Sequence, residues 1–145
     1  MLILGSLPGN RSLAVQQYYG NPRNQFWALV EAVWDVPLVS LPYEQRLAAV
    51  ADTGIGLWDV YASAHRASSL DSDIRGAVTN RLEETLGGLP HCHTIACNGA
   101  QAAKSVMAQL GGKRWNIIAL PSSSPAYTLP FQTKLNIWWQ LKQFL

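Results

Sequence analysis

Acidic side chains are missing from residues 1–30 and again from residues 85–145. All nine lie between those segments, where they outnumber Arg46, Arg66, Arg75 and Arg81 by five. The acid-free ends carry Arg11, Arg23, Lys104, Lys113, Arg114, Lys134 and Lys142, although the whole chain has a net charge of only +2. If those ends meet in the fold, they form a face attractive to a polyanion, with the middle segment opposite. Basic patches also occur on proteins that never touch nucleic acid, so charge alone leaves the partner open. Other scarcities exclude whole classes. No apolar run approaches the roughly 20 residues that span a bilayer, so no membrane partner is expected. The opening Met1-Leu2-Ile3-Leu4 meets Gly5 at once and lacks the basic start and long apolar core of a secretory signal. The two cysteines, Cys92 and Cys97, flank an expected buried strand and are read as free thiols, which suits a reducing, cytoplasmic setting. Low-complexity segments are missing too, which argues against disorder.

What is present is apolar. Hydrophobic residues make up 48% of the 145 positions and include six tryptophans, enough for one well-filled core and too little chain for two ordinary domains. Strands are expected at Leu2 to Leu4, Ile55 to Val60, His93 to Cys97 and Trp115 to Leu120. Between Gly9 and Asn24 the chain reads as a loop. Phe26, Leu29, Val30, Val33 and Trp34 then recur at helical spacing until Pro37. Further helices are expected at Tyr43 to Ala51, Thr79 to Leu86, Ala100 to Leu110 and Phe131 to Phe144, with glycines closing most of them. Tyr61 to Arg75 reads as a polar loop. Strands separated by helices imply an α/β fold, a three-layer α/β/α sandwich around a mainly parallel four-stranded sheet.

Ligands of open parallel sheets bind beyond the carboxyl ends of the strands. Three of the four expected strands end in unusual polar turns there: Gly5-Ser6-Leu7-Pro8-Gly9, Asn98-Gly99 and Pro121-Ser122-Ser123-Ser124-Pro125. Each turn lies in an acid-free segment, so the site and the basic face should coincide. These turns, with Gln17-Tyr18-Tyr19-Gly20-Asn21-Pro22-Arg23-Asn24-Gln25-Phe26-Trp27, Gly56-Leu57-Trp58-Asp59-Val60 and Ser69-Leu70-Asp71-Ser72-Asp73-Ile74, resemble the uracil-DNA glycosylase superfamily. The likeness is to its hypoxanthine-DNA glycosylase branch, sometimes called family six, and in order the motifs cover nearly the whole chain.

The resemblance implies an enzyme that extrudes a deaminated base from DNA and hydrolyses its N-glycosidic bond. Such a reaction passes through an oxocarbenium-like sugar and needs a positioned water, a grip on the leaving base and a hold on the extruded nucleotide. The implied base pocket comprises Gly5, Ser6, Leu7, Tyr19 and Asn98. Tyr19 aligns with an aromatic on which the flipped base rests, a contact worth roughly 1–3 kcal/mol, while Tyr18 is assigned to packing. Leu7 occupies the place where better-known relatives carry a water-holding Asn or Asp, and a leucine cannot orient water. The catalytic role is therefore given to Asn24, whose amide both donates and accepts; its alternative role is to cap the helix that follows. Asn21 stands where relatives more often have histidine and is not assigned to catalysis. Asn98 is placed to read the base edge, or simply to make an Asn-Gly turn. Ser122, Ser123 and Ser124 are the implied DNA contacts, with Tyr127 or Leu129 as the wedge that fills the gap in the duplex.

Asp59, Asp71 and Asp73 are ranked as structural, capping turns or pairing with Arg66 and Arg75. His91-Cys92-His93 supplies too few ligands for a metal, so no metal and no cofactor are expected. No lysine matches a pocket position, which implies hydrolysis without a lyase step. The expected partner is DNA containing a deaminated base, the expected state a monomer. Uracil is the alternative substrate, and a non-catalytic DNA-binding module of the same fold is the alternative class.

Overall fold

The computed structural model describes residues 1–68 and 70–144, with the backbone alone at Arg66 and Asp73. Ser69 of the matched motif, and the pairings expected of Arg66 and Asp73, therefore lie outside the described residues. The chain runs through β1 (Leu2–Gly5), α1 (Asn10–Val15), α2 (Phe26–Trp34), α3 (Tyr43–Asp52), β2 (Gly56–Asp59), β3 (Tyr61–Arg66), β4 (Ile74–Thr79), α4 (Leu82–Gly87), β5 (Thr94–Asn98), α5 (Ala100–Leu110), β6 (Asn116–Leu120) and α6 (Phe131–Trp138). Tight 3-10 turns cover Asp71–Asp73 and Trp139–Phe144.

Four strands form a parallel sheet in the order β2-β1-β5-β6. Successive side chains on a strand point to opposite faces, and β1 shows what that does. Ile3 enters an apolar cluster with Phe26, Leu29, Val30 and Trp138 from α2 and α6. Leu2 and Leu4 enter the opposite cluster with Leu82, Leu86, Val106 and Leu110 from α4 and α5. Both sheet faces are thereby covered, and the expected three layers are present. Cys92 and Cys97 are buried and unpaired. No helix among the described residues is long and apolar enough to cross a membrane.

Two local expectations are corrected. The segment read as a polar loop from Tyr61 folds as an antiparallel hairpin, β3 with β4, outside the main sheet. Its residues from Ile74 onward are mostly exposed, Val78 among them, so no apolar face marked them as a strand. The hairpin also claims Thr79, and α4 begins only at Leu82. In the segment read as a loop after Gly9, residues Asn10–Val15 form α1. Buried Ser12 ties the return: its carbonyl accepts from Gln17 N–H at 3.0 Å and its hydroxyl from Gly20 N–H at 2.9 Å.

Chain order reverses at β1. From β1 the connection goes to β2 on one side, while β5 and β6 lie on the other. Open parallel sheets bind their ligands beyond the carboxyl ends at such a switch point, which here falls between Gly5 of β1 and Asn98 of β5.

Candidate active site

Gly5 lies opposite Asp59 in the register, and Asn98 follows Cys97, the partner of Leu4. The carboxyl ends of β2, β1 and β5 thus place Asp59, Gly5 and Asn98 in one row. A Cβ on Gly5 would stand 2.9 Å from Asp59 Oδ1 and 3.2 Å from the Tyr19 hydroxyl. The missing side chain is what lets those two groups approach the strand.

Tyr19 arrives there under strain. Its φ of 53° is the left-handed region, uncommon for a bulky residue. The ring stacks on Phe26 with centroids 3.7 Å apart and 13° between planes, and meets Trp27 edge-on at 6.4 Å. One face of the Tyr19 ring is therefore taken by Phe26. Burial raises the Tyr19 phenol well above its ordinary value, the Asn98 side chain pulls it down, and the Asp59 charge adds to the rise. Tyr18 lies beside it, its N–H donating to the Tyr43 hydroxyl at 2.8 Å. Its own phenol is pushed up to about 12 by burial and by the neighbouring Asp59 and Tyr43. Both tyrosines pack against the α2-side cluster.

Asp59 departs from the role given to it from sequence. It lies on a strand and not in a turn, and no ion pair among the described residues involves it. Burial pushes its carboxyl up to about 6. Arg75, its expected kind of partner, instead donates to the carbonyls of Ser72 and Ile74. Asp71 does act structurally, accepting a 2.6 Å hydrogen bond from the Ser6 hydroxyl. That bond draws the Asp71–Asp73 turn onto the end of β1 and occupies the Ser6 side chain. Leu7 packs against the α5-side cluster.

Asn98 and the serine loop are one unit. The Asn98 amide donates to Ser123 Oγ at 2.8 Å, and its carbonyl oxygen accepts from Ser123 N–H at 2.9 Å. Gly99, at φ 105°, lets the chain turn into α5 with its missing Cβ against Ser122. Ser123 is fully buried, so it anchors the loop from within, while Ser122 and Ser124 remain partly exposed. Tyr127 is 48% exposed at the end of the same loop.

Asn24 is stitched to that loop through its neighbour. Gln25 N–H donates to the Ser123 carbonyl at 3.0 Å. The Asn24 side-chain oxygen accepts from Phe26 N–H at 3.0 Å, a turn that launches α2. The Asn24 side chain thus serves the start of α2, and among the described residues its amide nitrogen donates no hydrogen bond. Asn21 makes a similar turn toward Arg23 N–H at 2.9 Å. Leu129 is partly buried beyond Tyr127.

Sequence reasoning did not foresee the burial of Asp59 beside Gly5, nor did it single out Lys134, which is 1% exposed and donates to the Ser124 carbonyl at 3.4 Å. A signal for Lys134 existed. With Phe131, Leu135 and Trp138 it holds the i, i+3, i+4, i+7 stripe of α6, the face that meets the core. No group of His, Cys, Asp and Glu among the described residues could hold a metal.

This geometry can be set beside known proteins. A profile of the Uracil DNA glycosylase superfamily matches residues 1–143. The hypoxanthine DNA glycosylase of Methanosarcina acetivorans is 39% identical over 126 residues, covering 87% of this chain and 79% of the relative. The hypoxanthine DNA glycosylase of Methanosarcina barkeri is 36% identical over 104 residues, 72% of this chain and 66% of the relative. The solution NMR structure of a candidate uracil DNA glycosylase from Methanosarcina acetivorans superposes with a TM-score of 0.87 at 35% identity, covering 99% of this chain and 88% of that one. With a parallel sheet whose switch point gathers Gly5, Tyr19 and Asn98, and a family match across nearly its whole length, the chain belongs to the uracil DNA glycosylase superfamily.

Proposed function

We propose that this protein is a monofunctional DNA glycosylase that flips a deaminated base, hypoxanthine foremost, out of DNA and hydrolyses its N-glycosidic bond, leaving an abasic site. The observation that carries the reading is the meeting of Asp59, Tyr19 and Asn98 around the bare backbone of Gly5 at the switch point. A planar base laid against the Tyr19 face that Phe26 leaves would gain stacking energy of about 1–3 kcal/mol. The Asp59 carboxylate can accept the N1–H of hypoxanthine, and Asn98 borders the same edge with what its bonds to Ser123 leave over.

In this reading Asn24 holds the attacking water. Its side-chain oxygen accepts from Phe26 N–H and keeps a second lone pair, which accepts an O–H of the water and leaves the water's own lone pair facing the anomeric carbon. Leu7, packed into the core, keeps an apolar wall where no water need be ordered. Ser122 and Ser124 receive phosphates from the outside of the loop that Ser123 anchors, and Tyr127 enters the gap in the duplex. The hypoxanthine DNA glycosylases of the two Methanosarcina species support the choice of base. We assign the protein to work without a metal, as a monomer and in the cytoplasm; its two buried, unpaired thiols suit that compartment.

Single-turnover assays on duplexes carrying one deoxyinosine, deoxyuridine or deoxyxanthosine test the proposal. Abasic sites should form fastest at deoxyinosine. Cleavage at uracil alone would overturn the substrate, and duplex binding with no abasic site on any strand would favour the non-catalytic module.

A further inference from the structure

Lys134 poses a problem that the pocket does not absorb. Its side chain is 1% exposed, and among the described residues it has no carboxylate partner. Its contacts are the Ser124 carbonyl, 3.4 Å from Nζ, and the ring of Tyr127, whose centroid is 5.4 Å away. Burial pushes its ionisation below the ordinary lysine range. Burying an ammonium with so weak a set of partners is costly, and an apolar residue of similar length would fill the space without that cost. The neighbouring stripe residues, Leu135 and Trp138, are apolar and buried as the position invites.

Both groups that Lys134 touches belong to one loop, and that loop reaches the surface. The Ser124 carbonyl is turned inward to the ammonium and also accepts from Tyr127 N–H at 3.1 Å. Ser124 Oγ accepts from Ala126 N–H at 3.2 Å, and Ser122 Oγ from Ser124 N–H at 3.1 Å. The outer side of this turn is therefore lined with partly exposed hydroxyls, with the buried Lys134 ammonium behind it. A charge in such a setting acts more strongly across a few ångströms than one in solvent.

We propose that Lys134 is the buried counter-charge for a phosphodiester docked on the outer face of the Ser122–Ser124 turn, and that the same ammonium positions Tyr127 by holding its ring. The ligand is a nucleic-acid phosphate, and the inference rests on the DNA-glycosylase reading. Lys134 is a positioning residue, since its burial keeps it from touching the anion directly.

The test is Lys134→Met, which keeps the length and removes the charge. Binding to undamaged and deoxyinosine duplexes is measured across a range of salt concentrations, together with thermal melting. The variant should melt at or above the wild-type temperature, bind duplex about tenfold more weakly at low salt, and show a log–log salt slope shallower by about one. A lower melting temperature with wild-type affinity and slope would overturn the proposal, because Lys134 would then be a packing residue. A second readout needs no variant. In wild-type protein labelled at lysine, the Lys134 side-chain NMR signal should move on adding an undamaged duplex, in step with binding, while Lys113, ion-paired with Glu83 past the far end of α5, stays in place. A stationary Lys134 signal at saturation overturns the proposal. Wild-type protein that binds no DNA at any salt concentration would instead remove the glycosylase reading and this inference with it.

Discussion

At the amino ends of β1 and β5 the chain buries Leu2, Ile95 and, from the last turn of α5, Leu110. At the carboxyl ends it encloses Asp59, Asn98, Ser123 and the ammonium of Lys134, and it holds Tyr19 at a positive φ. The first set needs nothing but packing density. The second carries desolvated charge and backbone strain that no packing argument asks for. Stability is given up at one end of the sheet, and that is the end where the family's motifs converge. The difference teaches where to look for chemistry: a domain of this size can carry a few unfavourable groups only because the rest of the core is conventional.

The largest expected effect sets the reference for the ordinary end. Leu110→Ala should cost about 2–5 kcal/mol of unfolding free energy in denaturant melts, while turnover per folded molecule stays at the wild-type value. A matching loss of turnover would erase the contrast between the two ends. Gly5→Ala should do the reverse. The new Cβ must displace Asp59 Oδ1 or the Tyr19 hydroxyl, so single-turnover cleavage should fall on the order of a hundredfold, about 2.7 kcal/mol of barrier. The melting temperature should change far less than for the Leu110 variant.

Asp59→Asn sharpens the contrast through pH. The native carboxyl titrates near 6 against an ordinary value of 3.8. Between about pH 4 and 6 the folded protein keeps a proton that the unfolded chain has lost, so stability falls as pH rises through that window. Above it the cost is constant. The asparagine variant should lack that slope and gain about 1–2 kcal/mol at pH 7, after allowance for the partial exposure of the side chain. In a melt this is a rise of roughly 3–8 °C. Cleavage of deoxyinosine should nevertheless slow. A variant that is less stable at pH 7 would return Asp59 to a structural role. The smallest effect on stability belongs to Asn24→Ser. Serine can still accept from the helix N–H, so the unfolding free energy should remain within about 0.5 kcal/mol of wild type.

Much of the fold was legible because its strands end abruptly at glycine or proline. Gly5, Gly99 and Pro121 each close a strand of the parallel sheet, and the apolar stripe from Phe26 to Trp34 marks α2. The hairpin escaped because its side chains are largely exposed, so pairing left no mark on hydrophobic periodicity. The site was half legible. Turn residues such as Asn98 and Ser123 announce themselves, although their mutual hydrogen bonds join residues 25 positions apart. Asp59 stood near the end of an expected strand, but only the register set it opposite Gly5. Lys134 was visible as a charge, but only its place on the apolar stripe of α6 says that it is buried.

As proposed, the bond is broken at the carboxyl end of the sheet with water held by Asn24. The most direct measurement is single-turnover release of hypoxanthine from a duplex with one deoxyinosine, comparing wild type with Asn24→Ser at saturating protein. The prediction is a loss of at least about a hundredfold, with duplex binding and melting unchanged. Release at the wild-type rate would contradict it and leave Asn24 as a helix cap alone.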